Sequence, residues 1–169
     1  VKVGEIQRGF DRTGELAAAE LTSSTLRVTS VLDEVRDRTF FIVAVPTPVS
    51  SDNSPDFRPL VSASETVGKL IQPGAVVVYE STVFPGVTED VCSPVIEDIS
   101  GLDRSEFRLG YSPERINPGD KVHTLENVVK IVSGEDVETL ERVAAVYEKV
   151  APTHDPRRRG REGHREHPA

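Results

Sequence analysis

Residues 75–99, AVVVYESTVFPGVTEDVCSPVIEDI, carry the pattern on which the fold turns. The unbroken apolar run Ala75–Tyr79 predicts a strand covered on both faces, because a half-exposed strand would alternate polar and apolar side chains. A polar turn, Glu80–Val83, and the pair Pro85-Gly86 end it. A helix is then predicted from about Thr88 to Ile99, with Glu89 and Asp90 in its first turn, where the helix dipole favours acids. Immediately upstream, residues 59–72 predict another helix, and Pro73-Gly74 turns the chain from it into the strand.

The same rhythm extends in both directions. TFFIVAV (39–45) is apolar throughout and reads as a second buried strand, stopped by Pro46-Thr47-Pro48, whose prolines end the ladder and force an extended loop. FRLGYS (107–112) predicts a third strand ending in Pro113-Glu114, and VVKIVSG (128–134) a fourth, followed by a helix to about Val150. Further upstream, LRVTS (26–30) reads as a strand, and residues 1–25 as a helix remnant, a Gly/Asp turn and a short helix in ELAAAEL. Strands alternating with helices of ten to fifteen residues predict an α/β, doubly wound parallel sheet, and such sheets place ligands at the carboxyl ends of their strands. PTP, ESTV and SPERINPGD fall at three successive strand ends, so they are expected to converge on one rim. Taken singly, each of them also reads as ordinary loop punctuation.

Composition bounds the partners. With 20 Lys and Arg against 28 Asp and Glu, the formal charge of −8 argues against sequence-independent nucleic-acid binding, which rests on neutralised phosphates. No apolar run approaches the roughly 20 residues that cross a bilayer, and VKVGEIQRGF has no signal-peptide core. No nucleic-acid or membrane partner is expected, and a cytoplasmic location is. A single cysteine, Cys92, excludes an intramolecular disulfide and a Cys-rich zinc site, and no metal is expected. Lying inside the predicted helix 88–99, Cys92 reads as a buried structural thiol rather than a nucleophile. The chain begins at Val1 without an initiator methionine, which suggests that upstream sequence has been lost.

VPTP (45–48), ESTVFPGVTE (80–89) and YSPERINPGDKVH (111–123) strongly resemble the UDP-glucose/GDP-mannose dehydrogenase family, and the last string most resembles its UDP-N-acetylglucosamine/UDP-N-acetylgalactosamine 6-dehydrogenase branch. Agreement runs from about Val1 to Val150. The resemblance implies an incomplete Rossmann-like sheet and the oxidation of a sugar C6 alcohol to a carboxylate by NAD⁺, through an aldehyde held on a cysteine. By the same resemblance, Thr47 and Pro48 would lie against the cofactor, and Ser81, Thr82 and Val83 would line its nicotinamide side. Short hydroxyl residues and backbone N–H groups at a strand end suit that task, because they can approach a pyrophosphate or ribose closely. Thr82 and Glu114 would orient the water of the hydrolytic half, a carboxylate being able to accept protons once its environment tunes it. Arg115 and Asn117 would contact the UDP-sugar. Without the resemblance, Glu114 reads as a solvated loop acid; His123 reads as a surface side chain, with a ligand contact as the alternative. Intact family members are expected to be homo-oligomeric.

Parts of the family pattern are missing. A dinucleotide site opens with G-x-G-x-x-G after its first strand, and none stands in residues 1–150. The catalytic lysine and cysteine would follow Val150. Residues 1–150 are therefore expected to form a partial NAD-binding domain lacking its first strands, inactive as it stands. Residues 151–169, APTHDPRRRGREGHREHPA, differ in kind: they have almost no apolar side chains and a net positive balance, and they read as a disordered tail. One base later, the codons of Arg159–Pro168 would begin with G, G, G, A, G, A, G, A, A and C, which permit EVAKAIENIQ, and the third bases permit it as well. That peptide resembles the E-x-x-K-x-x-E-N pattern of the family's central helix. A frameshift near residues 151–158 is the expectation, and no function attaches to the tail's Arg and His side chains. A non-catalytic nucleotide-binding module and a poorly folding gene remnant are the competing readings.

Overall fold

The computed structural model describes residues 2–14, 16–114, 129–149 and 151, with the backbone of 153–154. It divides into two compact units, Val1–Asp37 and Arg38–Ala169.

The first unit holds two short helices, α1 (Lys2–Ile6) and α2 (Ala18–Ser23), and a 3₁₀ turn at Leu32–Val35. The predicted helix in ELAAAEL starts at Ala18 rather than Glu15 and runs on to Ser23, because Glu20 reaches back to accept the Ala17 N–H at 2.7 Å and so fixes the first turn there. The predicted strand at 26–30 is absent. No described strand lies in this unit to pair with it, and a strand without a ladder leaves its polar backbone to side chains and water. The Gln7 amide takes the Val28 carbonyl instead, at 2.7 Å.

The second unit is the α/β body. Strands β1 (Phe40–Val43), β2 (Val76–Tyr79) and β3 (Arg108–Tyr111) are parallel and in register, so that Val43, Tyr79 and Tyr111 end side by side. Helix α3 (Arg58–Gly68) joins β1 to β2, and α4 (Ser93–Ser100) joins β2 to β3. The predicted fourth strand is broken at Val132. Its first half, β4 (Lys130–Ile131), pairs with β6 (Thr153–His154), and its second half, β5 (Ser133–Gly134), pairs antiparallel with β3. The main sheet therefore has the order β1-β2-β3-β5, parallel except at this last strand. Helix α5 (Val137–Tyr147) follows, its first turn capped by Asp136, whose carboxylate accepts the Thr139 N–H at 2.7 Å.

Alternation along the strands sends side chains to two layers. Val77, Tyr79, Val43 and Leu109 pack with Leu60, Val67, Cys92 and Ile96 of the α3/α4 layer. Val76 and Val78 pack with Val132, Leu140, Val143 and Tyr147 of the α5 layer. Each fully buried valine of β2 contributes about 1.5–3 kcal/mol, which explains why a run with no polar residue is stable here. Close approach on either side depends on two glycines. A Cβ on Gly68 would lie 2.8 Å from the Ile99 Cβ, and one on Gly110 would lie 2.8 Å from the Val143 Cγ2. Strand β1 is one end of the sheet order, and its Ile42 is 46% exposed.

Two helix boundaries depart from expectation. α3 stops at Gly68 rather than 72, where the Leu70 N–H bonds Val67 O at 2.9 Å in a tightened turn ahead of Pro73. The helix predicted over 88–99 opens with a π turn, Thr88–Cys92. Pro94 cannot donate the bond that an α-helix needs at that point, and the Ser93 N–H reaches Thr88 O, one residue further back than usual.

Candidate functional site

Because β1, β2 and β3 end in register, the three turns flagged in the sequence leave the sheet at one edge. A chain of hydrogen bonds continues the ladder beyond the strands. The Glu80 N–H bonds Val43 O at 2.9 Å, the Ser112 N–H bonds Tyr79 O at 3.0 Å, and the Glu114 N–H bonds Glu80 O at 3.0 Å. Side chains add to it: the buried Ser81 hydroxyl donates to Val45 O at 2.5 Å, tying the ESTV turn to the PTP loop. The Val83 N–H lies 3.4 Å from the Tyr111 hydroxyl, which links the same turn to β3. The three motifs are thus joined into one rim.

Thr82 and Glu114 are both exposed on that rim. Thr47 is half buried, and its Oγ1 is shielded from solvent without a hydrogen-bond partner among the described residues. A buried hydroxyl without a partner is costly, so this atom fits a ligand hydroxyl or phosphate oxygen arriving at the rim. Pro48 begins a small loop closed by the Asp56 N–H on Pro48 O at 2.8 Å and by an antiparallel bridge between Val49 and Pro55. Phe57 beyond the loop meets Phe84, the residue after the ESTV turn, edge-to-face, with ring centres 5.6 Å apart. Arg115, Asn117 and His123 lie outside the described residues.

Beneath the rim sits a polar cluster that the motifs did not flag. The Lys130 ammonium, almost fully buried, lies 3.1 Å from the Glu80 carboxylate. The Tyr147 hydroxyl donates to the same carboxylate oxygen at 2.7 Å. Burial, with Glu80 as acceptor, pushes the Tyr147 phenol well above its usual range, so it stays protonated and donating. Ser112, fully buried, donates to Ile131 O at 2.9 Å and joins β3 to β4 alongside. The signal for this cluster was present in the sequence as a lysine inside an otherwise apolar strand, VVKIV.

Cys92 is fully buried in the α3/α4 layer, on the other side of the sheet from Val132 and Tyr147. Ser64 donates to Leu60 O at 2.9 Å, so the Tyr79 hydroxyl is the donor in its 2.7 Å contact with Ser64. Burial, the largest influence on it, pushes the Cys92 thiol up. Such a thiol is inert, as its place inside the helix led us to expect.

Comparison with known proteins places this arrangement. Residues 10–151 match the model of the UDP-glucose/GDP-mannose dehydrogenase family, NAD binding domain. The chain is 51% identical over 150 residues to Protein CapL of Staphylococcus aureus, covering 88% of this chain and 35% of that protein. It is 46% identical over 157 residues to UDP-N-acetyl-D-glucosamine 6-dehydrogenase of Pseudomonas aeruginosa, covering 90% and 37%. Among solved structures, the UDP-D-ManNAc dehydrogenase of Pyrococcus horikoshii superposes with a TM-score of 0.79 at 27% identity, over 91% of this chain and 38% of that one. The chain thus spans little more than a third of the length of these relatives.

Proposed function

The chain belongs to the UDP-glucose/GDP-mannose dehydrogenase family, and from that premise we infer that it is the cofactor-binding portion of an NAD-dependent enzyme that oxidises the C6 alcohol of a UDP-N-acetylhexosamine to the uronic acid, a precursor of cell-surface polysaccharide. The observation that carries this reading is the rim itself, where PTP, ESTV and SPE turns are bonded to one another at the carboxyl ends of three parallel strands. The relative from Pseudomonas aeruginosa, a UDP-N-acetyl-D-glucosamine 6-dehydrogenase at 46% identity, supports the choice of sugar.

Bound NAD⁺ supplies the hydride acceptor for the sugar carbon. The residues here do the holding. Thr47 offers a buried hydroxyl without a partner among the described residues, and Pro48 a rigid turn beside it. Ser81, whose proton is committed to Val45 O, fixes the turn on which Thr82 and Val83 line the nicotinamide side. Thr82 and Glu114 orient the water of the second, hydrolytic half, with Glu114 as proton acceptor. Arg115 and Asn117 hold the nucleotide sugar.

The 169-residue chain by itself forms no NADH in this reading. The family match ends at residue 151, where the composition of the chain changes, and this supports the frameshift reading of the tail. The test is to restore the frame beyond residue 150, place a family first strand with its G-x-G-x-x-G turn ahead of Val1, and substitute Thr82→Ala and Glu114→Gln in that protein. Loss of turnover by about 100-fold or more in each, with NAD⁺ still bound, is the expected result. Full turnover in both variants would remove these residues from the chemistry, and saturable NAD⁺ binding with no turnover in the restored protein would leave a binding module.

A further inference from the structure

We propose that Lys130 is a positioning residue: with Glu80 and Tyr147 it forms a buried charged tie that fixes the backbone from which Glu114 projects. The importance of Glu114 rests on the reading given above, but the tie does not.

Four elements meet on Glu80. Its N–H bonds the end of β1 at Val43 O, and its carbonyl accepts the Glu114 N–H from the turn after β3. Its carboxylate takes the Lys130 ammonium from β4 and the Tyr147 hydroxyl from α5. Glu80 is also the residue directly before Ser81 and Thr82, so whatever holds it holds two of the three rim turns. A lysine with 3% of its side chain exposed is unusual and must be paired. The ammonium also lies 5.5 Å from the centre of the Tyr147 ring, so the same aromatic serves both charges, its hydroxyl toward Glu80 and its ring toward Lys130.

Charge compensation, more than space filling, is what the lysine supplies. Without it, the Glu80 carboxylate, its side chain 18% exposed, keeps only the Tyr147 hydroxyl as a side-chain donor among the described residues, and an uncompensated charge in such a site is strongly unfavourable. The carboxylate then turns toward water and its peptide moves with it, loosening the bond that Glu80 O receives from Glu114. Methionine fills nearly the same volume without the charge, so Lys130→Met separates the two roles. Adding Glu80→Gln removes the orphaned charge while keeping an acceptor for Tyr147, and should repair the defect.

The experiment is amide hydrogen exchange on the full 169-residue chain, free of any ligand. Lys130→Met is expected to speed exchange at the Glu114 amide by about 10-fold or more, while the Ile71 amide, bonded to Val67 O below α3, is unchanged. The double variant Lys130→Met, Glu80→Gln is expected to bring Glu114 back to the parent rate. Should Lys130→Met fail to fold, Tyr147→Phe serves, and it is expected to speed Glu114 but not Ile71. Unchanged exchange at Glu114, equal acceleration at Glu114 and Ile71, or a double variant no better than the single would each overturn the proposal. Because no cofactor enters the assay, failure here is distinct from failure of the dehydrogenase reading.

Discussion

Replacing Gly110 by alanine sets two opposing effects against each other. Alanine restricts the unfolded chain and so favours folding by about 0.4–1 kcal/mol where the native geometry tolerates it. Here the new methyl would lie 2.8 Å from Val143 Cγ2 and 3.2 Å from both Ser133 O and Val78 Cγ2. None of the three can swing away: Val143 and Val78 are fully buried and stiff at χ1, and Ser133 O is backbone. Overpacking of this kind costs about 1–3 kcal/mol, so the clash wins, with a net loss of about 1–2 kcal/mol. At this chain length that lowers Tm by roughly 3–6 °C. Urea melts followed by circular dichroism should show a lower midpoint with an unchanged slope. In a Val143→Ala background the closest contact is gone, and the same substitution should cost about 1 kcal/mol less. A Gly110→Ala chain as stable as the parent, or an equal cost in both backgrounds, would refute this account of how α5 packs on β3.

Further outcomes follow from the site and its supports. Ser81→Ala removes the bond to Val45 O and should cost about 1 kcal/mol in a urea melt, while making the Thr47 loop easier to cleave in limited proteolysis; an unchanged cleavage rate would mean that the two turns are not tied. Cys92 should be silent toward a thiol reagent in the folded chain and react only at the rate of unfolding, since burial both hides it and raises its thiol; rapid labelling without denaturant would contradict its place in the core. The Asp136 carboxyl is held below its ordinary range, first by the Thr139 N–H it accepts. Its contribution to α5 is therefore complete above the unfolded-state pKa of about 3.9 and is lost as pH falls through the lower, folded value. Asp136→Asn should flatten that acid limb of the stability curve, and an unchanged limb would show that the cap does not carry it.

Much of the α/β body could be read from the chain, for a simple reason: a strand buried on both faces must be apolar along its whole length, as β2 is, and β1 carries the same apolar run. The three rim turns were legible because prolines and short polar residues stand at each strand end. What escaped reading depended on pairing across the chain. VVKIVSG reads as one strand, yet Val132 enters the α5 layer while its two neighbours pair with different partners, and nothing local to the segment announces β6 or the reversal against β3. The π turn at Thr88–Cys92 follows from Pro94, which a helical periodicity alone passes over. LRVTS has strand propensity without a partner, and propensity gave way. Lys130 was visible as an anomaly in an apolar run, but its meaning required Glu80, fifty residues earlier, to be seen beneath the same rim.

The most direct measurement is NADH formation with UDP-N-acetylglucosamine and UDP-N-acetylgalactosamine, comparing the 169-residue chain with a protein in which the frame beyond residue 150 is restored and a family first strand with its G-x-G-x-x-G turn stands ahead of Val1. The account predicts no NADH from the former and steady turnover to a uronic acid from the latter, two NADH appearing for each sugar oxidised. Turnover by the 169-residue chain that survives repurification, or a restored protein that binds NAD⁺ yet oxidises neither sugar, would contradict it.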